Sequence, residues 1–200
     1  MNKISTSLAL VAALLPEHWR AVIRTAYVTG WRVRSEIFTR KWEHVDLNAG
    51  WIRLDPGETK NGDGRMFPLV PDLRRVLERQ RELTSRLERE TDQVIPWVFH
   101  RNGVPLKDIR TAWKTATKKA GLAGRIPHDF RRTAIRNLNR AGVPRSDAMA
   151  MVGHRTEAVY RRYSISDEQS LRESGEKLAA LHEDELQNET KIVPLHKRAK

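Results

Sequence analysis

Between Pro127 and Ala141 the chain reads PHDFRRTAIRNLNRA, and that stretch constrains any fold the chain can adopt. With Phe130 at zero and about 100° per residue, Ala141, Ala134, Leu138 and Ile135 fall in an arc from about 20° to 140°, and Arg131 falls at about 100°, inside it. A guanidinium at a core edge is costly unless an anion meets it, so the fold must bring such a group to this face. Two partners are open: an acid such as Glu36, giving a buried ion pair, or a phosphate gripped by the parallel donors of the guanidinium. His128, at about 160°, neighbours Arg131 on the same helix. Arg132, Arg136 and Arg140 gather at about 200° to 280°, where they are either solvated or laid against a polyanion.

Turn and cap signals partition the rest of the chain. Trp19, Val22, Ile23, Ala26 and Tyr27 recur at helical spacing after Pro16, predicting an amphipathic helix from Glu17 to Val28. Val45 to Leu47 and Trp51 to Leu54 flank the turn Asn48-Ala49-Gly50, and Arg65 to Leu69 follow a Gly-rich loop, which predicts a small antiparallel sheet. Val70-Pro71-Asp72 opens a long helix with a stripe of Leu73, Val76, Leu77, Leu83 and Leu87. Trp97 to His100 is a short apolar piece ending in Arg101-Asn102-Gly103. Asp108 is placed to cap a helix carrying Ile109, Ala112, Trp113, Ala116 and Ala120, which Gly121 stops. Ser146 is placed to cap a brief helix ended by Gly153, and a further short helix from about Thr156 carries Tyr163 near its end. The expected fold is mainly α with a small antiparallel β-sheet.

Lys plus Arg number 37 against 25 Asp plus Glu, and the resulting +12 charge favours a polyanionic partner, with nucleic acid first. No apolar run approaches the ~20 residues that span a bilayer, and Leu8 to Leu15 lacks the flanks of a signal peptide, so the expected location is cytoplasmic. The absence of cysteine excludes disulfides and thiolate metal sites. His128-Asp129 is a pair that metal-dependent phosphohydrolases use, yet His18, His44, His100, His154, His182 and His196 form no ligand-spaced motif around it. With no P-loop and no Gly-x-Ser-x-Gly elbow either, neither metal nor cofactor is expected.

Four segments, TGWRVRSE, LDPGETKNGDGRMFPL, PHDFRRTA and MVGHRTEAVYRRY, resemble in order and spacing the boxes of the tyrosine recombinase (phage integrase) family. The resemblance covers roughly Pro16 to Ile165. It implies a catalytic domain over residues 16–166, preceded by a lead segment (1–15) and followed by a helical segment (167–186) that docks on a neighbouring protomer. A basic tail expected to be disordered (187–200) ends the chain. Tyr163, nine residues after His154, is the implied nucleophile. Tyr160 is its competitor, and either tyrosine alone is equally readable as a core ring with a locally bonded hydroxyl. Arg32 and Arg131 are the implied phosphate clamps, and Lys60 is the implied mobile lysine protonating the leaving 5′ oxygen. His128 and His154 complete the set, with His154 on a non-bridging oxygen and Glu36 supporting the clamp.

One departure marks the first box. The family arginine usually stands three residues before the glutamate, whereas Arg32 stands four before Glu36 and Arg34 two before it. Arg32 keeps the Thr29-Gly30 context and is preferred, with a tighter or bulged turn after Gly30 absorbing the extra residue. Arg34 is the alternative.

The resemblance implies a site-specific DNA recombinase or integrase that cleaves and rejoins double-stranded DNA through a 3′-phosphotyrosine, needs no metal, and works as a homotetramer on paired sites. Two other readings stay open at this point: a non-catalytic DNA-binding integrase remnant and a type IB topoisomerase-like enzyme.

Overall fold

The computed structural model describes residues 10–59, 62–161 and 168–189. The described residues through Arg161 form one compact unit, and the helix after them belongs to a second. The first helix, α1 (Glu17–Thr29), buries Trp19, Val22, Ile23 and Ala26 and ends at Gly30, whose φ of 67° lets its N–H close on the Ala26 carbonyl. Residues 10–14 are helical too, and Val11 and Leu15 sit in the core, so the expected lead segment 1–15 is part of the domain from at least Val11. Two apolar side chains on one face of a helical turn are held more cheaply against α1 than in water.

A three-stranded antiparallel sheet follows, β1 (Val45–Asp46), β2 (Trp51–Leu54) and β3 (Arg65–Pro68), in sequence order. Its register pairs Ile52 with Phe67 and Leu54 with Arg65. Ile52, Leu54 and Phe67 are buried, so Arg65 stands on the face of the sheet that turns toward the core. The next helix, α2 (Pro71–Thr91), buries Leu73 and Leu77 as expected. Its buried line then continues through Gln80 and Thr84, while Val76, Leu83 and Leu87 are only half-buried. The cause is a polar neighbour: Thr84 Oγ1 lies 2.9 Å from His100 Nε2. His100 belongs to a ribbon the sequence reading left out, β4 (His100–Arg101) and β5 (Val104–Pro105). Asn102 and Gly103 between them both have positive φ, the conformation that an Asn-Gly hairpin turn requires.

Four helices complete the unit: α3 (Arg110–Lys119), α4 (Asp129–Arg140), α5 (Arg145–Val152) and α6 (Glu157–Arg161). Asp108 accepts the Arg110 N–H at 2.9 Å, capping α3 from one position further out than a usual N-cap. Ser146, expected as the cap of α5, lies inside its first turn and bonds Asp147; Pro144 precedes the helix instead. α1 packs against both α2 and α4, and the main core runs from Val11 to Phe130, with a smaller cluster of Ile135, Ala148, Val152 and Tyr160. The second unit holds α7 (Glu168–Glu189), which carries helix three residues into the segment expected to be a disordered tail.

The close approach of α1 to α4 depends on Gly30, where an added Cβ would lie 2.9 Å from the Ala134 Cβ. Gly57 has a φ of 89° as well but nothing within 4 Å of an added Cβ. Gly57→Ala should therefore cost about 1 kcal/mol through its backbone alone, and Gly30→Ala about 2 to 4 kcal/mol through backbone and overpacking together. Urea midpoints of the two variants check this, and equal losses would mean that α1 and α4 yield freely at Gly30.

Candidate active site

Arg131 is 2% exposed, on the apolar face of α4 as the wheel requires. Its Nη1 donates to the Gly30 carbonyl at 3.0 Å, its Nη2 to the Gly153 carbonyl at 3.2 Å and its Nε to His154 Nε2 at 2.9 Å. These contacts fix the guanidinium plane between the end of α1 and the end of α5. The pairing with Glu36 that sequence left open is not among them, because Glu36 is committed elsewhere.

Glu36 is 1% exposed and serves Arg32 twice, accepting from its backbone N at 2.7 Å and from its Nη1 at 2.6 Å. The extra residue between them is absorbed in a π-helical turn, Val33–Ile37, where the Ile37 N–H reaches the Arg32 carbonyl and the Phe38 N–H reaches that of Val33. A π turn is wider by one residue than an α turn and so takes up an insertion without breaking the backbone bonding; such turns recur at functional sites. The insertion is thus accommodated after Arg32 by a wider turn, not after Gly30 by a tighter one. Arg32 keeps contact with the buried acid, while Arg34 is exposed.

Two clefts meet at Arg32. One, of about 280 Å³, is lined by Arg32, Arg34, His128 and Arg131 among others. The other, of about 440 Å³, is lined by Arg32, Arg65, Gly153 and His154, with Thr59 and Asp63 from the β2–β3 loop. Lys60 lies outside the described residues, but Thr59 and Asp63 on either side of it in sequence line the second cleft. Arg65 Nη2 lies 2.5 Å from Glu36 Oε1, and its Nη1 donates to the Val152 carbonyl at 3.2 Å. Its guanidinium lies over Trp31, whose Nε1 donates to the Met151 carbonyl at 2.9 Å.

Burial and the neighbouring charges together lower the pKa of both histidines. Burial, then Arg131 and Arg32, push the His154 pKa down to about 4, so the ring is neutral near pH 7. Because Nε2 accepts from Arg131, its proton sits on Nδ1. His128, at the start of α4, is largely exposed in the first cleft, and partial desolvation followed by Arg131 and Arg32 lowers its pKa as well. It is a neutral base beside two cations. Arg132 is exposed, whereas Arg136 and Arg140 are half-buried and engaged by other groups, so the expected stripe is not uniformly open.

Tyr163 lies outside the described residues. Its competitor does not: Tyr160 is 1% exposed, its Oη donates to Asn139 Oδ1 at 2.5 Å, and its ring packs edge-on to His154. Burial raises its pKa. Tyr160 is a core ring with a local hydroxyl partner and is poorly placed to attack anything.

Arg40, fully buried, escaped the sequence reading. It donates to the Glu36 carbonyl, the Arg53 carbonyl and the Glu58 carboxylate, tying the π turn to the root of the Lys60 loop. Beside it His44, Asp55 and Glu58 converge closely enough to resemble a metal site, a grouping that sequence spacing did not show. The hydrogen bonding argues against one. His44 Nδ1 accepts the Lys41 N–H at 3.0 Å, so the neutral ring carries its proton on Nε2, the atom facing the carboxylates, and Arg40 already neutralises Glu58. Arg65 was also missed, although a signal existed: by strand alternation it shares the inward face with Phe67. A charged residue at an inward position asks for a partner, as Arg131 did.

The family model for the phage integrase family matches residues 3–170. A shufflon-specific DNA recombinase of Escherichia coli is 30% identical over 134 residues, covering 66% of this chain and 30% of that protein. The XerA recombinase structure superposes with a TM-score of 0.69 at 22% identity, covering 86% of this chain and 61% of that one. A lambda integrase dimer bound to a COC′ core site gives a TM-score of 0.64 at 18% identity, over 82% of this chain and 59% of that one. The chain thus spans under a third of the curated recombinase and about three fifths of these structures. With the family model covering most of its length, and the buried Arg131 and Glu36-held Arg32 facing one cleft, the chain belongs to the phage integrase family of tyrosine recombinases.

Proposed function

We propose that the chain carries the catalytic part of a site-specific DNA recombinase that breaks and rejoins double-stranded DNA through a 3′-phosphotyrosine. The observation that carries this reading is the convergence of Arg32 and Arg131, from α1's end and from α4, on one cleft beside a neutral His128. Each guanidinium is held by protein contacts before any phosphate arrives, the preorganisation that makes electrostatic stabilisation of a transition state effective. In the proposed step Tyr163 Oη attacks the scissile phosphorus and loses its proton toward His128. The bond from phosphorus to the 5′ oxygen breaks, and Lys60 protonates that oxygen to leave a 5′ hydroxyl. Arg32 and Arg131 neutralise the two non-bridging oxygens, a task that needs no metal when two guanidiniums supply the charge. His154 acts here by holding Arg131 through Nε2, since that nitrogen is spent on Arg131 rather than aimed at phosphate. Arg132, Arg136 and Arg140 contribute backbone contacts to DNA. A homotetramer on paired sites, with α7 as the docking segment, completes the reading. DNA binding without cleavage is the outcome that the tests below separate from it; relaxation of a supercoiled plasmid without joining of two sites would mark a topoisomerase-like enzyme instead.

Tyr163→Phe should fold, bind a nicked suicide duplex and form no covalent adduct, whereas Tyr160→Phe should keep the adduct and lose about 1 kcal/mol of stability with its buried hydroxyl bond. Adduct that survives the first variant and vanishes in the second would transfer the nucleophile to Tyr160. A wild-type chain that binds the duplex but never forms adduct would be a non-catalytic DNA-binding member. In single-turnover cleavage at saturating DNA, Arg32→Ala should lose on the order of 10²- to 10³-fold in rate, as expected for a transition-state clamp. Arg34→Ala should chiefly weaken binding. A large rate loss confined to Arg34→Ala would reverse the assignment.

His154 must stay neutral to accept from Arg131, and its folded pKa of about 4 lies below the ordinary value. Above about pH 6.5 both folded and unfolded chains hold it neutral; as pH falls from there, the unfolded chain takes up a proton that the folded one refuses. Stability is therefore lost progressively between about pH 6.5 and 4, by at most about 3 kcal/mol from this group. Urea unfolding of wild type and His154→Gln at pH 7 and 4.5 isolates the effect, since the other histidines are common to both. Equal pH dependence in the two would show that His154 is not held neutral by the fold.

A further inference from the structure

We infer that Arg65 is a positioning residue of this site, holding the two phosphate clamps in one fixed relation from the inner face of β3. The inference rests on the recombinase reading for its consequence in catalysis, but its structural content is independent of it. Arg65 joins two segments that sequence separates widely. One arm of its guanidinium meets Glu36, the acid that holds Arg32, at 2.5 Å. The other donates at 3.2 Å to the Val152 carbonyl, one residue before Gly153 and two before His154, both of which hold Arg131. Arg131 in turn donates to the Gly30 carbonyl, two residues before Arg32. The contacts close a ring: Arg32, Glu36, Arg65, the α5 end, Arg131 and back to the first box.

Three further observations fit a residue selected for this bridge. Its side chain is 7% exposed, too enclosed for a residue whose only use is a surface charge. Gly153 has no side chain in the place where the guanidinium lies; a Cβ there would coincide with it. Trp31, beneath the guanidinium, also bonds to the α5 end through Met151, so the same turn is latched from two segments. The electrostatic consequence follows from counting charges. One carboxylate shared between two guanidiniums leaves a net positive charge, so Glu36 orients Arg32 without cancelling its attraction for phosphate. Were Arg65 absent, Glu36 would pair fully with Arg32, and the α5 end would lose its link to Glu36 and keep only those through Trp31 and Arg131.

A planar fork is needed for this, because a lysine offers one compact charge and cannot reach Glu36 and the Val152 carbonyl from fixed directions together. Arg65→Met should therefore slow single-turnover cleavage of a nicked suicide duplex on the order of 10²-fold, the scale of misplacing a catalytic group by about 1 Å, with DNA affinity changed only a few-fold. Arg65→Lys should restore charge and folding but recover only part of the rate. In the DNA-free protein, the Arg131 Nε and His154 imidazole resonances should shift in Arg65→Lys as well as in Arg65→Met, the lysine variant being the decisive one because it keeps the positive charge that itself acts on His154. Full recovery by lysine would reduce Arg65 to a charge and overturn the positioning role; so would unshifted Arg131 and His154 resonances. A wild-type chain that forms no adduct would instead overturn the recombinase reading, while the resonances still judge Arg65.

Discussion

The buried carboxylate of Glu36 is the interaction on which the site depends. Around it stand Arg32 and Arg65, and Arg131 bonds both the Gly30 carbonyl near Arg32 and the α5 end that Arg65 also holds. Removing one partner of a buried pair costs about 3 to 5 kcal/mol because the remaining charge is stranded, so Glu36 is as much a condition of the fold as of the chemistry. One more residue stands between Arg32 and Glu36 than the family usually has, and the π turn that holds it sets the acid against the Arg32 backbone and side chain together.

Such a cluster is poorly balanced by itself. Among the described contacts, carbonyl oxygens at Gly30, Val152 and Gly153 and a neutral imidazole do the work that further carboxylates would do in an ordinary core. Carbonyl dipoles and a neutral nitrogen orient a guanidinium without cancelling its charge, so the site keeps a positive potential for an incoming anion. The pKa values of His154 and His128 are lowered first by burial and then by Arg131 and Arg32, the second cause reflecting that potential.

Sequence made the helices and the sheet legible because their signals are local. Arg131 was legible for a related reason: a charge inside an apolar arc is anomalous at once, and the structure buries it. Tyr160 could not be separated from Tyr163 by residue type, only by spacing, and its burial against Ile135 and Val152 supplies a physical reason for setting it aside. What stayed hidden was non-local. Arg65 faces inward by the two-residue period of a strand, yet its partners come from the first box and from α5. Arg40 has no periodic signature at all, and the π turn is visible only as a count that departs from the family by one. Val11 and Leu15 were set aside with the lead segment because their partners lie in another helix. The Asn102-Gly103 hairpin, by contrast, was present in the sequence and passed over.

The fold secures its buried charges and the neighbouring β2–β3 loop in different ways. Arg131, Glu36 and Arg65 are fixed from several directions by α1, β3, α4 and the end of α5. The loop that carries Lys60 is secured differently, at its root: Arg40 bonds Glu58, and Glu58 accepts the Asp55 N–H. Past Glu58 the described contacts are within the loop, Gly57 to Gly62 and Thr59 to Asp63, apart from the exposed pair of Asp63 with Arg155. An exposed ion pair adds little, about 0 to 1 kcal/mol, so the firm anchor among the described contacts lies at the root. The buried Arg40, which steadies the Glu36 turn through the Glu36 carbonyl, also sets where this loop begins.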